Sequence, residues 1–190
     1  MSLSSRGASR ALVLLLGVLL AEMGMRESLE VSWLPAYGPE MRSGSAHCYV
    51  CLSKDRVGSP LVEHPDVLIA MNELSLRKFA SQLSEHGLIL YNGAALPQDF
   101  SPPLARVACI PAAEIADKLG FAKAANIVLL GALLEETGYL QAETALAAIG
   151  ARVKKPAVFE VNRKSLAEGR KFVDQNVWVG PESQADGFAS

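Results

Sequence analysis

Short apolar blocks, separated by glycine, proline and polar residues, predict strands that alternate with helices along the chain. Residues 67–71 form an uninterrupted apolar run, which is typical of a strand covered on both faces. The strands that the pattern predicts are residues 29–34, 45–53, 67–71, 88–91 and 106–110. The predicted helices are residues 10–27, 72–85, 112–119, 123–137, 142–150 and 156–173. This order predicts an α/β fold of three layers, with a mostly parallel sheet flanked by helices and a helical C-terminal third.

The first apolar run, residues 11–21, follows Arg6 and Arg10 and has two interpretations. A basic start before a short apolar run is typical of a secretory signal peptide, so an exported small-molecule-binding protein is one alternative. However, the run is shorter than the roughly 20 residues that span a bilayer. No clean small-residue cleavage site follows Ala21 either. The other alternative is a buried first helix.

Composition changes this picture by limiting the partners of the chain. Of its 190 residues, 50% are hydrophobic and 20% are charged, which describes one globular domain and excludes intrinsic disorder. The formal net charge is −2 and no run of Lys or Arg occurs, so we expect no nucleic-acid partner. We expect no membrane partner either. A mean hydropathy of +0.21 is high for a small monomer, which indicates surface that partner chains cover.

The three cysteines are too few for a disulfide scaffold, which predicts a reducing cytoplasm. Cys48 and Cys51 have the spacing of a redox pair or of half a metal site. On an extended strand, however, they would point to opposite faces and lie about 10 Å apart. A disulfide needs Cα atoms within about 7 Å, and an iron-sulfur cluster needs about four thiolates. We therefore expect structural cysteines and no metal held by this chain alone.

The remaining candidate residues give no self-sufficient catalytic set. His86 is expected at the end of the second helix, where a positive charge is favourable, and His64 is expected in a surface turn. His47 and Cys48 are adjacent on a predicted strand, so their side chains should face opposite sides. The sequence has no nucleophile elbow, zinc-protease motif or P-loop, and we predict no catalytic residue.

The most informative segment is the loop of residues 37–44, between the first two predicted strands. This loop has two interpretations. It is either a surface turn with a solvated ion pair and no specific function, or an anchored loop at a ligand or subunit contact. In the second, Arg42 presents its planar guanidinium to a carboxylate or phosphate. The candidate residues of this loop are Tyr37, Gly38, Glu40, Arg42 and Gly44.

At this loop the sequence resembles a known family. Residues 31–48, VSWLPAYGPEMRSGSAHC, are similar to the signature of the gamma subunit of 2-oxoacid:ferredoxin oxidoreductases, the pyruvate/ketoisovalerate oxidoreductase gamma-type domain. Further matches occur in the same order at residues 58–60, 65–72, 90–92, 110–116 and 125–133. The resemblance covers about residues 13–173, and several separated motifs make it more specific than any one of them.

The resemblance implies a subunit of an enzyme that converts a 2-oxoacid to acyl-CoA, CO2 and reduced ferredoxin. It implies that thiamine diphosphate, Mg and the iron-sulfur clusters are bound by partner subunits, and that ferredoxin is reached through the complex. The residues of loop 37–44, together with Asn126 in the apolar helix, are then expected at a subunit interface or near coenzyme A. The sequence Trp33-Leu34-Pro35 favours 2-oxoglutarate over a branched-chain 2-oxoacid.

The resemblance also predicts the domain limits. Residues 13–176 form the oxidoreductase gamma-type domain, and residues 177–190 are expected to form a flexible tail. Residues 1–12 are atypical, because family members have a strand and a Gly-x-Gly-Gly-Gln-Gly loop before the first helix, and only Gly7 matches here. A free-standing α/β interaction protein remains a further alternative to the gamma subunit.

Overall fold

The computed structural model describes residues 5–35, 46–56 and 62–175. The strands are β1 (Glu30–Pro35), β2 (Cys48–Ser53), β3 (Val67–Ala70), β4 (Leu88–Asn92) and β5 (Arg106–Ile110). The helices are α1 (Ser5–Arg26), α2 (Glu73–Phe79), α3 (Ala112–Lys118), α4 (Ala125–Thr137), α5 (Ala142–Arg152) and α6 (Pro156–Gln175). Short 3-10 turns at Ala80–Gln82 and Ala122–Ala124 follow α2 and precede α4.

The described strands form two sheets. Strands β1 and β2 are antiparallel, with Glu30 opposite Ser53 and Pro35 opposite Cys48. Strands β3, β4 and β5 are parallel and lie in that order. The predicted α/β fold is confirmed, and its parallel sheet consists of β3 to β5. The sequence pattern did not predict that β1 and β2 would pair as a separate antiparallel sheet.

Two apolar layers cover the faces of the parallel sheet. Alternate residues of β4 enter different layers, because successive side chains of a strand point to opposite faces. Leu88 and Leu90 pack in the larger core, with residues of α1 and α4. Ile89 and Tyr91 pack in a smaller core, with residues of α2. The predicted arrangement of three layers is therefore present.

Helix α1 contains the first apolar run, residues 11–21. Its side chains Leu16, Leu19, Leu20 and Met23 are buried in the larger core, as the buried-helix interpretation predicts. Within the described ranges, no helix combines the length and the apolar character that a membrane crossing requires.

Helix α4 is the centre of the larger core, since its ten residues 125–134 are all buried. A helix that is apolar on every side is typical of an element enclosed by others. Helix α6 crosses it closely at two glycines. A Cβ atom on Gly131 would overlap the Leu166 carbonyl, and one on Gly169 would overlap the Val128 carbonyl.

The second helix differs from its prediction. Asn72 caps it as expected, with the Ser75 amide donating to Asn72 Oδ1 at 2.9 Å. Its α-helical part ends at Phe79, however, and a 3-10 turn carries the chain only to Gln82. His86 is therefore not at a helix end. It has a φ of 61° in the turn before β4, and its amide donates to the Leu104 carbonyl at 2.9 Å.

Candidate functional site

The predicted loop residues Tyr37, Gly38, Glu40, Arg42 and Gly44 lie outside the described residues. The two strands that the loop joins are described. Because Pro35 is paired with Cys48, the end of β1 and the start of β2 lie side by side. The pairing of β1 with β2 therefore holds the two strand ends beside this loop close together, at one end of the small sheet.

Asn126, the sixth predicted site residue, is in the first turn of α4 and is only 1% exposed. Its side-chain amide donates from Nδ2 to the Leu12 carbonyl of α1 at 3.3 Å. Its Oδ1 atom is buried and has no hydrogen-bond partner within the described residues. Leaving a buried acceptor unpaired costs about 1–3 kcal/mol. Asn126 thus joins α4 to α1, while its interface role stays a prediction.

The two sheets are separated by a cavity of about 360 Å³, a volume typical of ligand pockets. One wall is β2, through residues such as Val50 and Leu52, and the opposite wall is β3, through Val67 and Ile69. Residues of the helices that cover the two faces of the parallel sheet close the cavity. They include Leu16 and Leu133 from α1 and α4, and Ser75 and Phe79 from α2. The cavity therefore passes through the plane of the sheet, between β2 and β3. We call it the inter-sheet cavity.

The polar chemistry of the inter-sheet cavity is sparse. Cys48 and Cys51 line it, and both are free thiols, as is Cys109. Burial raises the pKa of Cys48, and a hydrogen bond with Trp33 opposes this rise. Burial also raises the pKa of Cys51. A raised pKa keeps a thiol protonated near neutral pH and makes it a poor nucleophile.

The carboxyl ends of parallel strands are the usual place for ligands in α/β folds, and here two asparagines have structural roles at that edge. Asn92, at the end of β4, donates from Nδ2 to the Met71 carbonyl at 3.2 Å and accepts from the Ala113 amide at 3.1 Å. It thereby joins the end of β3 to the start of α3. Asn72 caps α2. Among the described residues, no group of three His, Cys, Asp or Glu side chains is placed to hold a metal ion.

Sequence reasoning missed the inter-sheet cavity. The pattern of residues 67–71 predicted a strand covered on both faces, yet Val67, Leu68 and Ile69 are only half-buried. No local pattern in the sequence marks the cavity, because it depends on how β2 and β3 are placed relative to each other in the fold. Cys48 and Cys51 are free and only partly buried, and their expected role as buried structural cysteines stays a prediction.

Comparison with known proteins gives consistent matches. The family model described as pyruvate ferredoxin/flavodoxin oxidoreductase matches residues 13–172. The ketoisovalerate oxidoreductase subunit VorA of Methanothermobacter thermautotrophicus is 39% identical over 167 residues. That match covers 87% of this chain but only 35% of the VorA subunit, so the chain spans about a third of that relative.

Two further relatives match over nearly their full length. The 2-oxoglutarate synthase subunit KorC of Methanothermobacter marburgensis is 28% identical over 172 residues, which cover 84% of this chain and 92% of KorC. The crystal structure of the keto/oxoacid ferredoxin oxidoreductase gamma subunit from Geobacter sulfurreducens superposes with a TM-score of 0.76 at 27% identity. It covers 88% of this chain and 94% of that one.

Proposed function

This chain belongs to the pyruvate ferredoxin/flavodoxin oxidoreductase family, and we propose that it is the gamma component of a 2-oxoacid:ferredoxin oxidoreductase. The observation that carries the proposal is the family match over residues 13–172, joined by the superposition on a gamma subunit at a TM-score of 0.76. The assembled enzyme converts a 2-oxoacid and coenzyme A to acyl-CoA and CO2, and passes the electrons to ferredoxin.

In this proposal the chain contributes binding and assembly, and the cofactor chemistry belongs to partner subunits. Thiamine diphosphate with Mg supports decarboxylation there, and iron-sulfur clusters carry the electrons. The three free thiols of this chain support this division, because an iron-sulfur cluster takes about four thiolates. We place the complex in the cytoplasm, where free thiols persist.

The comparisons support a branched-chain 2-oxoacid as the substrate. The ketoisovalerate relative is 39% identical to this chain, against 28% for the 2-oxoglutarate relative. The Trp33-Leu34-Pro35 sequence favoured 2-oxoglutarate, which we keep as the second candidate. Steady-state assays of the purified complex with ketoisovalerate and 2-oxoglutarate decide between them, with ferredoxin reduction as the readout. A higher kcat/KM for 2-oxoglutarate would overturn the branched-chain assignment.

We propose that loop residues 37–44 contact coenzyme A or a neighbouring subunit. Support comes from β1 and β2, whose pairing brings Pro35 and Cys48 together and fixes the two strand ends beside the loop. An arginine on such a loop suits recognition of phosphate, because its guanidinium donates two parallel hydrogen bonds. Asn126 belongs to the same proposal through its buried, unpaired Oδ1 atom.

The first test is the composition of the native complex. The chain, purified from its host by an affinity tag, should copurify with thiamine-binding and iron-sulfur subunits and show coenzyme A-dependent ferredoxin reduction. Recovery of the chain as a stable monomer without these subunits would instead support a free-standing interaction protein. Cleavage of the mature chain near Ala21 would support the exported alternative.

The second test addresses Arg42. Arg42→Ala should raise the KM for coenzyme A by about tenfold or more, the loss expected for a charged hydrogen bond. Arg42→Lys should recover part of this loss, because it keeps the charge without the planar fork. Arg163→Ala is the matched control, since Arg163 is an exposed arginine of α6 paired only with neighbouring Glu160 among the contacts described. Unchanged assembly and unchanged KM in Arg42→Ala would exclude the proposed role.

A further inference from the structure

We propose that a ring contact between His47 and Phe79 fixes the orientation of the antiparallel pair β1–β2, and that His47 is thereby a positioning residue for coenzyme A binding. This inference rests on the proposed function, in which loop residues 37–44 contact coenzyme A. His47 is the third residue after Gly44, where that loop ends. We call the two rings the aromatic junction.

The aromatic junction joins two elements that are distant along the chain. The ring centroids of His47 and Phe79 are 4.8 Å apart, with an angle of 48° between the ring planes. Favourable aromatic pairs have centroids about 4.5–7 Å apart and avoid a face-to-face sandwich. The His47 ring also meets the Tyr49 ring edge-on, with centroids 5.7 Å apart. Because Phe79 is the last residue of α2, the junction ties the start of β2 to the end of α2.

The other face of the antiparallel pair packs on α1. The Cys48 thiol donates to the Val13 carbonyl of α1 at 3.8 Å. A Cβ atom on Gly24 of α1 would overlap the Leu52 side chain of β2. The adjacent His47 contacts α2 instead, so His47 and Cys48 face opposite sides, as the sequence predicted. The pair is therefore held from both faces, by α1 on one and by the aromatic junction on the other.

The burial of Phe79 is explained by the aromatic junction. Phe79 is only 8% exposed, yet among the described residues it belongs to neither of the two apolar cores. Leu76 and Ala80, the neighbouring apolar residues on its side of the chain, are both in the smaller core. The Lys78 ammonium lies 5.3 Å from the centroid of the Phe79 ring, and the attraction of a cation to an aromatic face helps to hold that ring in place. The Phe79 ring thus serves the contact with His47.

The junction fixes the point at which the chain passes from the loop into β2. Ala46 is 8% exposed, the His47 ring is packed against α2, and Cys48 pairs with Pro35 of β1. Hydrogen bonds depend steeply on distance and angle, so a small displacement of the loop would weaken the contact that Arg42 makes. His47 therefore acts on coenzyme A through the loop and does not itself touch it.

Steady-state kinetics of the purified complex test the role of the His47 ring. His47→Ala should raise the KM for coenzyme A by about threefold to tenfold, the range expected for the loss of an aromatic pair. The kcat should stay within about twofold, because the change acts on binding. His47→Phe should restore the KM, since it keeps a ring against Phe79 and carries no titratable group. An unchanged KM in His47→Ala, or no recovery in His47→Phe, would overturn the proposal.

Phe79→Leu tests the same junction with a smaller change in volume. It removes the partner ring and should raise the KM for coenzyme A as His47→Ala does. Phe100→Leu is the matched control, because Phe100 also has a cation of α2 near its ring, with the Arg77 guanidinium 5.9 Å from the centroid, but packs against the smaller core. It should lower stability and leave the KM unchanged. An equal rise of the KM in both leucine variants would indicate a general loss of packing and overturn the proposal.

A double-mutant cycle with Arg42 separates this inference from the proposed function. If His47 acts through the loop, His47→Ala should not raise the KM further in a chain that already carries Arg42→Ala. Additive losses would overturn the positioning role. If Arg42→Ala raises the KM and His47→Ala does not, this inference fails and the proposed function stands. If neither variant changes the KM, the proposed function of the loop fails as well.

Discussion

Strands β3 and β4 have nearly the same apolar composition but different burial. The residues of β4 from Leu88 to Tyr91 are buried, whereas Val67, Leu68 and Ile69 of β3 are half-buried. Strand β4 lies between two strands, and β3 has the inter-sheet cavity on one side. Burial of an apolar strand therefore depends on its neighbours in the sheet as well as on its own composition.

The helices also differ in how closely they are packed. Helices α4 and α6 approach so closely that carbonyl groups occupy the space beside Gly131 and Gly169. Helix α1, on the side of the cavity, also has a glycine at a close approach, but side chains of Cys48 and Trp33 occupy the space beside Gly17. We call the region around β4, β5 and α6 the closed side, and the region around the cavity, formed by α1, β2 and β3, the open side. Helix α4 borders both.

The largest expected difference is between leucine truncations on the two sides. Leu90→Ala should lower the free energy of unfolding by about 3–5 kcal/mol, because Leu90 is fully buried and its neighbours cannot fill the space. Leu68→Ala should cost only about 1–2 kcal/mol, since Leu68 already borders a cavity and exposes part of its side chain. Urea unfolding of the isolated chain measures both. Equal losses would show that the two strands are equally enclosed.

Glycine substitutions test the same contrast through the helices. Gly169→Ala should destabilise the chain by about 2 kcal/mol, because its Cβ would push against the main chain of α4, which cannot move independently. In Gly17→Ala the new Cβ would meet two side chains, at 2.5 Å from Cys48 Sγ and 2.9 Å from Trp33 Nε1, and no main-chain atom. The helix propensity of alanine, worth about 1 kcal/mol over glycine, should offset part of this cost, so we expect a smaller loss than in Gly169→Ala.

Thermal or urea unfolding of the two glycine variants is sufficient to compare them. A Gly17→Ala variant as unstable as Gly169→Ala would mean that α1 is held as rigidly as α6. In that case the open side would be packed as tightly as the closed side.

Much of the fold could be predicted from local sequence. The bounds of β5 match the prediction, and α4 begins two residues later than predicted. Both elements are mainly apolar and have clear ends, and the φ of 60° at Gly138 shows a helix stop that the sequence marks with glycine. Local patterns of this kind depend on neighbours along the chain, which the sequence contains directly.

The rest depends on contacts between distant residues. Tertiary packing, which local patterns do not determine, accounts for three features. They are the pairing of Glu30 with Ser53, the break between β2 and β3, and the early end of α2. For the candidate site, the resemblance pointed to Asn126. It could not reveal that Asn126 donates to Leu12, a residue 114 positions away.

A substitution at Asn126 separates the effect on the stability of the chain from the effect on the function of the complex. Asn126→Leu should leave the stability of the isolated chain within about 1 kcal/mol of the original. It removes one hydrogen bond to the Leu12 carbonyl, but it also removes the unpaired buried Oδ1 atom. The proposed role of Asn126 predicts that assembly or coenzyme A affinity of the complex falls in this variant. A loss above about 2 kcal/mol in the isolated chain would show that Oδ1 is already satisfied.

The smallest expected effect concerns an ion pair on the closed side. The Glu136 carboxylate of α4 accepts from the Arg106 guanidinium of β5 at 2.8 Å, and burial raises its pKa from the ordinary 4.5, while Arg106 opposes this rise. A carboxyl group with a raised pKa in the folded state binds protons more tightly there than in the unfolded state. Its contribution to stability is therefore complete below pH 4.5 and is lost as the pH rises through the higher folded pKa.

Glu136→Gln isolates this contribution, because glutamine still accepts from Arg106 but does not titrate. The stability of the variant relative to the original chain should increase as the pH rises from 4 towards neutrality, measured as the difference in Tm across that range. The opposite slope would mean that the attraction of Arg106 exceeds the cost of burial. The closed side would then hold its charge as a stabilising pair, and the contrast with the open side would lie in electrostatics as well as in packing.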